Sequence, residues 1–202
     1  MRKFLGAVVA LFIVFAAYWA WALVGAAQLA ALASREDASA VMQRVDLTAL
    51  RHSLSKQITH AYLLQNPQFQ KMSPLEQGLA GSVGGGVADA MLREALTPEN
   101  IAALLSKGRV GAIKAGVDPT AEPLWRMPSL GEAFRTGPLQ ALTQSSFDGP
   151  LSFVIGLDGP DGRYGVHLHL SGATWLLSGL DIPDEVSAKL AHEIAEKQKV
   201  SG

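Results

Sequence analysis

Apolar residues along this chain run unbroken at the start, recur every three or four positions through the front half, and alternate with polar ones in the last third. After Arg2 and Lys3 comes FLGAVVALFIVFAAYWAWALVGAAQLAALA, residues 4–33, with no charge and with Gln28 as its one strongly polar side chain. A helix crosses the hydrocarbon core of a bilayer in about 20 apolar residues, so roughly a third of this run has to leave the membrane. Tyr18, Trp19 and Trp21 stand where a span beginning at Phe4 reaches the headgroup zone, which rings with one polar edge prefer. Residues 1–22 therefore read as a transmembrane anchor with these three aromatics at the membrane interface, and the alanine-rich remainder opens the body. Basic residues before the span and the mixed SRED after it orient the N-terminus to the cytoplasm and the body outside. AWA at residues 20–22 also has the small-x-small pattern of a signal-peptidase site, so a secretory signal is the competing reading.

From Asp37 the pattern turns helical. Leu47, Leu50, Leu54, Ile58 and Ala61 or Tyr62 form one stripe at three- and four-residue spacing, with Arg51, Ser55 and Lys56 outside it. Asn66-Pro67 ends that helix, because the residue before proline is pushed out of helical geometry. Ser73, Pro74 and Glu76 make a capping box with proline at the first helical position, and Thr97-Pro98 opens ENIAALLSKG, which Gly108 closes. The glycines of GSVGGG, residues 81–86, fall inside the helix begun at Ser73 and weaken it. Gly78, Gly81 and Gly85 lie near one face, an arrangement that lets another backbone approach closely.

Residues 109–146, with Pro119, Pro123, Pro128 and Pro138, break every period and read as a long irregular segment. Leu124, Trp125, Met127, Leu130 and Phe134 are apolar enough for part of it to pack over the body, with a short helix near residues 130–134. LSFVIGL, RYGVHLHL and TWLLSGLDI, separated by DGPDG and SGA, are three strands of an antiparallel meander. Past Pro183, Val186, Leu190 and Ile194 recur every four residues, with acids early and lysines late, as in a terminal surface helix.

Composition narrows the chemistry. A net charge of −1 with 17% charged residues gives no electrostatic footprint for nucleic acid, and the absence of cysteine removes thiolate and cysteine–zinc sites. GSVGGG has no Gly-Lys-Ser/Thr after it and no strand before it, so no nucleotide loop is formed. His167 and His169 share one face of a strand, opposite the core set Tyr164, Val166, Leu168 and Leu170. Two histidines so placed can supply two ligands to a metal, but zinc or copper needs three or four, and no nearby Asp or Glu alternates in phase with the pair. Solvated histidines on the wetter sheet face are the plainer account, and no nucleophile elbow or paired carboxylates appear.

The stretches AYWAWALVGAAQLAALASREDASAVMQRVDLTALRHSL, LTPENIAALL and TWLLSGLDIP resemble the bacterial domain-of-unknown-function family 2939. That resemblance implies a small envelope protein with an N-terminal membrane segment and carries no catalytic residues across. Leu47-Thr48 stands where the family commonly has Phe-Pro, and residues 109–146 have no counterpart in it.

The expected fold is α+β: an N-terminal transmembrane helix, a helical front half, then a three-stranded antiparallel β-meander packed against the helices, with a C-terminal helix. Residues 23–183 form one extracytoplasmic domain and 184–202 the C-terminal helix and tail. The expected role is a non-catalytic binding or scaffolding module of the bacterial envelope, in the inner membrane with a periplasmic domain. Its partners are the lipid bilayer and another envelope or inner-membrane protein, with no cofactor, nucleotide or nucleic acid. Trp125 and Trp175 are candidates to line a ligand site. The alternatives are an accessory subunit of an inner-membrane complex and a metal-dependent hydrolase using His167 and His169.

Overall fold

The structure is a computed structural model that describes residues 2–35, 37–64, 69–108, 126–136 and 143–201. With neither proline nor charge to interrupt it, the apolar N-terminal run forms one continuous helix, α1 (Arg2–Ser34). Ser34 Oγ donates back to the Ala30 carbonyl at 2.8 Å in its last turn. Asp37 caps the short α2 (Ala38–Met42), its carboxylate accepting from Ala40 N at 3.0 Å. Asp46 does the same for Ala49 N at the start of α3 (Leu47–Leu64). A 3-10 turn (Phe69–Lys71) precedes α4 (Pro74–Ala95), whose Ser73–Glu76 capping box and Pro74 are in place. Thr97 caps α5 (Pro98–Lys107).

Gly108 ends α5 in the left-handed conformation, φ 64°. A Cβ there would fall 1.8 Å from the Met127 carbonyl, because the returning chain binds at this point, Met127 N donating to Gly108 O at 2.9 Å. Met127 and Leu130 are buried, and α6 (Leu130–Thr136) is the short helix expected there.

The sheet has four strands, not three. Its order is β1 (Ser145–Phe147), β2 (Ser152–Gly159), β3 (Gly162–Ser171) and β4 (Thr174–Asp181), each antiparallel to the next. The extra strand, β1, begins inside the segment expected to be irregular. Ser-Ser-Phe carries no alternation of its own; pairing with β2, Ser145 opposite Ile155 and Phe147 opposite Phe153, makes it a strand.

Phe153, Ile155 and Leu157 of β2 and Tyr164, Val166 and Leu168 of β3 point into the core. On β4 the alternation slips. Leu168 pairs with Leu177 and His167 with Gly179, so Ser178 is left over as a bulge. The bulge keeps Trp175 and Leu177 on the core side and returns Leu180 and Ile182 to it. The outer edge of β4 is covered, since Leu177 N donates to Arg44 O and Asp46 N to Leu177 O, both at 2.8 Å. Gln57 of α3 continues that cover, donating to Leu180 O at 2.7 Å and accepting from Ile182 N at 3.0 Å.

The C-terminal helix α7 (Asp184–Ser201) is less peripheral than its surface pattern suggests. Val186, Leu190 and Ala191 join the same apolar cluster as Leu29, Leu54, Ile101, Leu130 and Phe153. Helices α1, α3 and α5 thus share one core with the sheet.

Candidate functional site

Along α1 burial changes abruptly. Residues 4–17 are exposed, Phe4 at 77% and Leu11 at 72%, whereas Ala22, Ala26, Leu29, Ala30 and Ala33 are buried in the body. Small residues on the buried face let the helix lie close to the sheet. At Gly25 a Cβ would sit 2.8 Å from Trp175 Cβ. Tyr18 stacks on Phe147 with centroids 5.2 Å apart and meets Trp175 edge-on at 6.0 Å, while its hydroxyl donates to the Pro150 carbonyl. Trp19 Nε1 donates to Ser145 Oγ at 3.2 Å, and Trp21, 39% exposed, lies edge-on to Trp175 at 6.1 Å. The three aromatics assigned to a membrane interface thus stand where the bare half of α1 meets the sheet. Two of them, Tyr18 and Trp19, also tie helix to sheet.

Trp175 is 1% exposed and closed in by Gly25, Tyr18, Phe147 and Phe153, with its indole Nε1 buried and without a hydrogen-bond partner. Trp125 lies outside the described residues.

His167 and His169 do share a sheet face, with Leu168 buried behind them. An acid is in phase after all, contrary to the sequence expectation: His167 Nε2 lies 2.5 Å from Asp181 Oδ2 on β4. Pairing across the bulge, with Gly165 opposite Asp181, makes that contact, and linear spacing does not display it. His169 is exposed opposite Ser152 and Leu176. Among the described residues no group of three His, Asp or Glu side chains is placed to hold a metal ion.

A concavity lies between α3 and α4. Ser55 Oγ donates to Gly85 O at 3.0 Å, and Arg51 Nε stands 3.2 Å from Asp89 Oδ1, which ties the helices together. Arg93 donates to the same carboxylate at 3.1 Å. Between these ties opens a cleft of about 500 Å³, into which α3 presents His52, Lys56, Thr59, His60 and Leu63. Ser55, expected outside the core stripe, is buried because it reaches across to α4.

The glycines of α4 act differently from expectation. At Gly78 and Gly85 a Cβ would meet nothing within 4 Å, so no backbone packs closely there, and Gly81 falls among residues 79–84, whose side chains lie outside the description. What Gly85 provides is the bare wall of the cleft. His52 and His60 are not among the candidates drawn from the sequence. The signal was their spacing with Lys56, four residues at a time along one helix face. A smaller cleft of about 390 Å³, reached by Gln57, His60, Leu64 and Asp184, lies between α3 and α7.

Fold and site together define an α+β protein whose N-terminal helix is long and apolar enough, at a mean hydropathy of 2.3, to cross a membrane or to act as a signal anchor. Residues 11–104 match the profile of a family described as "protein of unknown function (DUF2939)", to which the chain is similar through this segment. The matched part ends in α5, so the sheet, including the TWLLSGLDIP stretch, lies beyond it. No curated protein and no solved structure gives a significant match.

Proposed function

We propose that this protein is a single-pass, membrane-anchored, non-catalytic binding or scaffolding module of the bacterial envelope, with its body on the periplasmic side of the inner membrane. The split burial of α1 carries this reading: one half is bare and apolar, the other is built into the core. A signal destined for removal has no need to be continuous with a core helix, and cleavage after Ala22 would cut α1 among the residues that fill the core.

From Phe4 to Trp21 α1 supplies about 27 Å of helix at 1.5 Å per residue, against a hydrocarbon core of about 30 Å. The body therefore lies directly on the bilayer. Tyr18, Trp19, Trp21 and the exposed Leu151 of the β1–β2 turn occupy the headgroup layer, where aromatic and apolar side chains are favourable. Arg2 and Lys3 remain on the cytoplasmic side. The binding role rests on the α3–α4 cleft.

Fractionation of cells carrying C-terminal alkaline phosphatase and green fluorescent protein fusions tests the placement. The expected result is protein that stays with membranes through a high-salt wash, an active phosphatase and a dark fluorescent fusion. Recovery of intact protein from the cytosol without detergent, or fluorescence with an inactive phosphatase, overturns it.

A further inference from the structure

The α3–α4 cleft offers donors with few free acceptors. Thr59 is 8% exposed, and its hydroxyl, buried at the cleft, has no hydrogen-bond partner. A buried polar group left unsatisfied costs about 1–3 kcal/mol, so each such orphan calls for an explanation, and a partner from outside the chain is one. Lys56 lies on the same wall, with His52 and His60 one turn to either side. Asp89 is the one carboxylate among the described lining residues, and Arg51 and Arg93 already match its charge. The Ser55 proton is committed to the Gly85 carbonyl. Leu63 and the side-chain-free backbone at Gly85 leave another part of the wall apolar and open.

Donors and positive charge on one side with apolar surface on the other describe an amphipathic anion. We propose that this cleft binds a small organic anion, its carboxylate or phosphate head at Thr59 and Lys56 and its apolar body over Leu63 and Gly85. A volume of about 500 Å³ falls within the range of small-molecule sites. Free organic acids and lipids share this chemistry, but the position favours the free acid. Gln57 of α3 holds the Leu180–Ile182 end of β4, and α1 meets the opposite end at Trp175. The cleft thus lies away from the bare half of α1. This inference deepens the binding-module reading, and only its choice of a free acid over a lipid rests on the membrane placement.

Calorimetric titration of the full-length protein in phosphatidylcholine nanodiscs tests it, with empty nanodiscs as the blank. The probes are naphthoate, naphthylmethanol as its uncharged match, and inorganic phosphate as a head alone. Naphthoate is expected to bind saturably and to be displaced by phosphate. Binding should weaken at least tenfold in Lys56→Met and in Thr59→Val, and be lost in Gly85→Leu, whose side chain enters the open space while the unfolding temperature is kept. Equal binding of naphthylmethanol, unchanged naphthoate binding in Gly85→Leu, or no heat with any probe overturns the proposal. Loss of naphthoate binding when phosphatidylglycerol replaces phosphatidylcholine would assign the cleft to a lipid head and overturn the free-acid source. None of these outcomes bears on the fusion experiment, so the two readings fail separately.

Discussion

Replacing Gly25 by alanine sets two opposed effects against each other at the point where α1 meets the sheet. Alanine is the better helix former, by about 1 kcal/mol in a helix interior, and if Gly25 faced open space the variant would be stabilised by that amount. It faces Trp175 instead: the new Cβ would lie 2.8 Å from Trp175 Cβ and 2.9 Å from Cδ1. Cβ is the root of the indole side chain, so relief requires α1 or β4 to move as a whole. Trp175 has little room to yield, being held by Tyr18 and Trp21 on one side and Phe147 and Phe153 on the other. Forced overpacking of this kind costs about 1–3 kcal/mol, which exceeds the propensity gain. The expected net effect of Gly25→Ala is a loss of up to about 2 kcal/mol. In a chain of this size that lowers the unfolding temperature by about 2–4 °C for each kcal/mol. Gly6→Ala is the internal control, because nothing lies within 4 Å of its position. Thermal unfolding of both full-length variants in the same detergent, followed by tryptophan fluorescence and near-ultraviolet circular dichroism, makes the comparison. A Gly25→Ala protein as stable as Gly6→Ala would refute the close packing of α1 on β4, and with it a body seated firmly on the membrane.

Three further outcomes follow from the same structure. Gly108→Ala places a side chain at φ 64° against the Met127 carbonyl, so it should destabilise by more than about 1 kcal/mol and expose the 126–136 segment to protease first. Thr59→Val removes an unsatisfied buried hydroxyl and should raise the ligand-free protein's unfolding free energy in urea titration by about 1 kcal/mol, while weakening binding in the cleft. The Tyr164 hydroxyl, which donates to the Arg126 carbonyl at 2.7 Å, is pushed up to about 12 by burial, with Asp161 adding to the effect. The folded protein holds that proton more tightly than the unfolded chain, so the stabilisation is complete below about pH 10 and is lost as the pH rises toward about 12. Urea titrations across that range should show a steeper decline for the wild type than for Tyr164→Phe, and equal slopes would contradict it.

Features that local chemistry dictates were legible in the linear chain. The uncharged apolar run, the Ser73–Glu76 box, the Thr97 cap and the Gly108 stop each depend on residues within a few positions of one another, and each stands where the pattern put it. The core face of β2 and β3 was readable too, since alternation with period two is a local property. The candidate site was barely legible. Trp175 stood out as a large aromatic, but only its neighbours on α1 and β2 show that it is core. His52 and His60 gave no candidate until α4 supplied the opposite wall of the cleft.

By itself the sequence determined which segments are helices and strands and that the first helix is apolar enough for a membrane, because helix propensity, capping and hydropathy act over one or two turns. Tertiary structure alone decided that Ser145–Phe147 becomes a strand, that Ser178 bulges so Asp181 reaches His167, and that α1 divides near Tyr18 into a bare half and a buried half. It also decided that Gly85, expected to admit a backbone, leaves a cavity wall instead. The reason in each case is the same: strand pairing, burial and cavity shape arise between segments tens of residues apart, and no local period encodes which distant surface a side chain will meet.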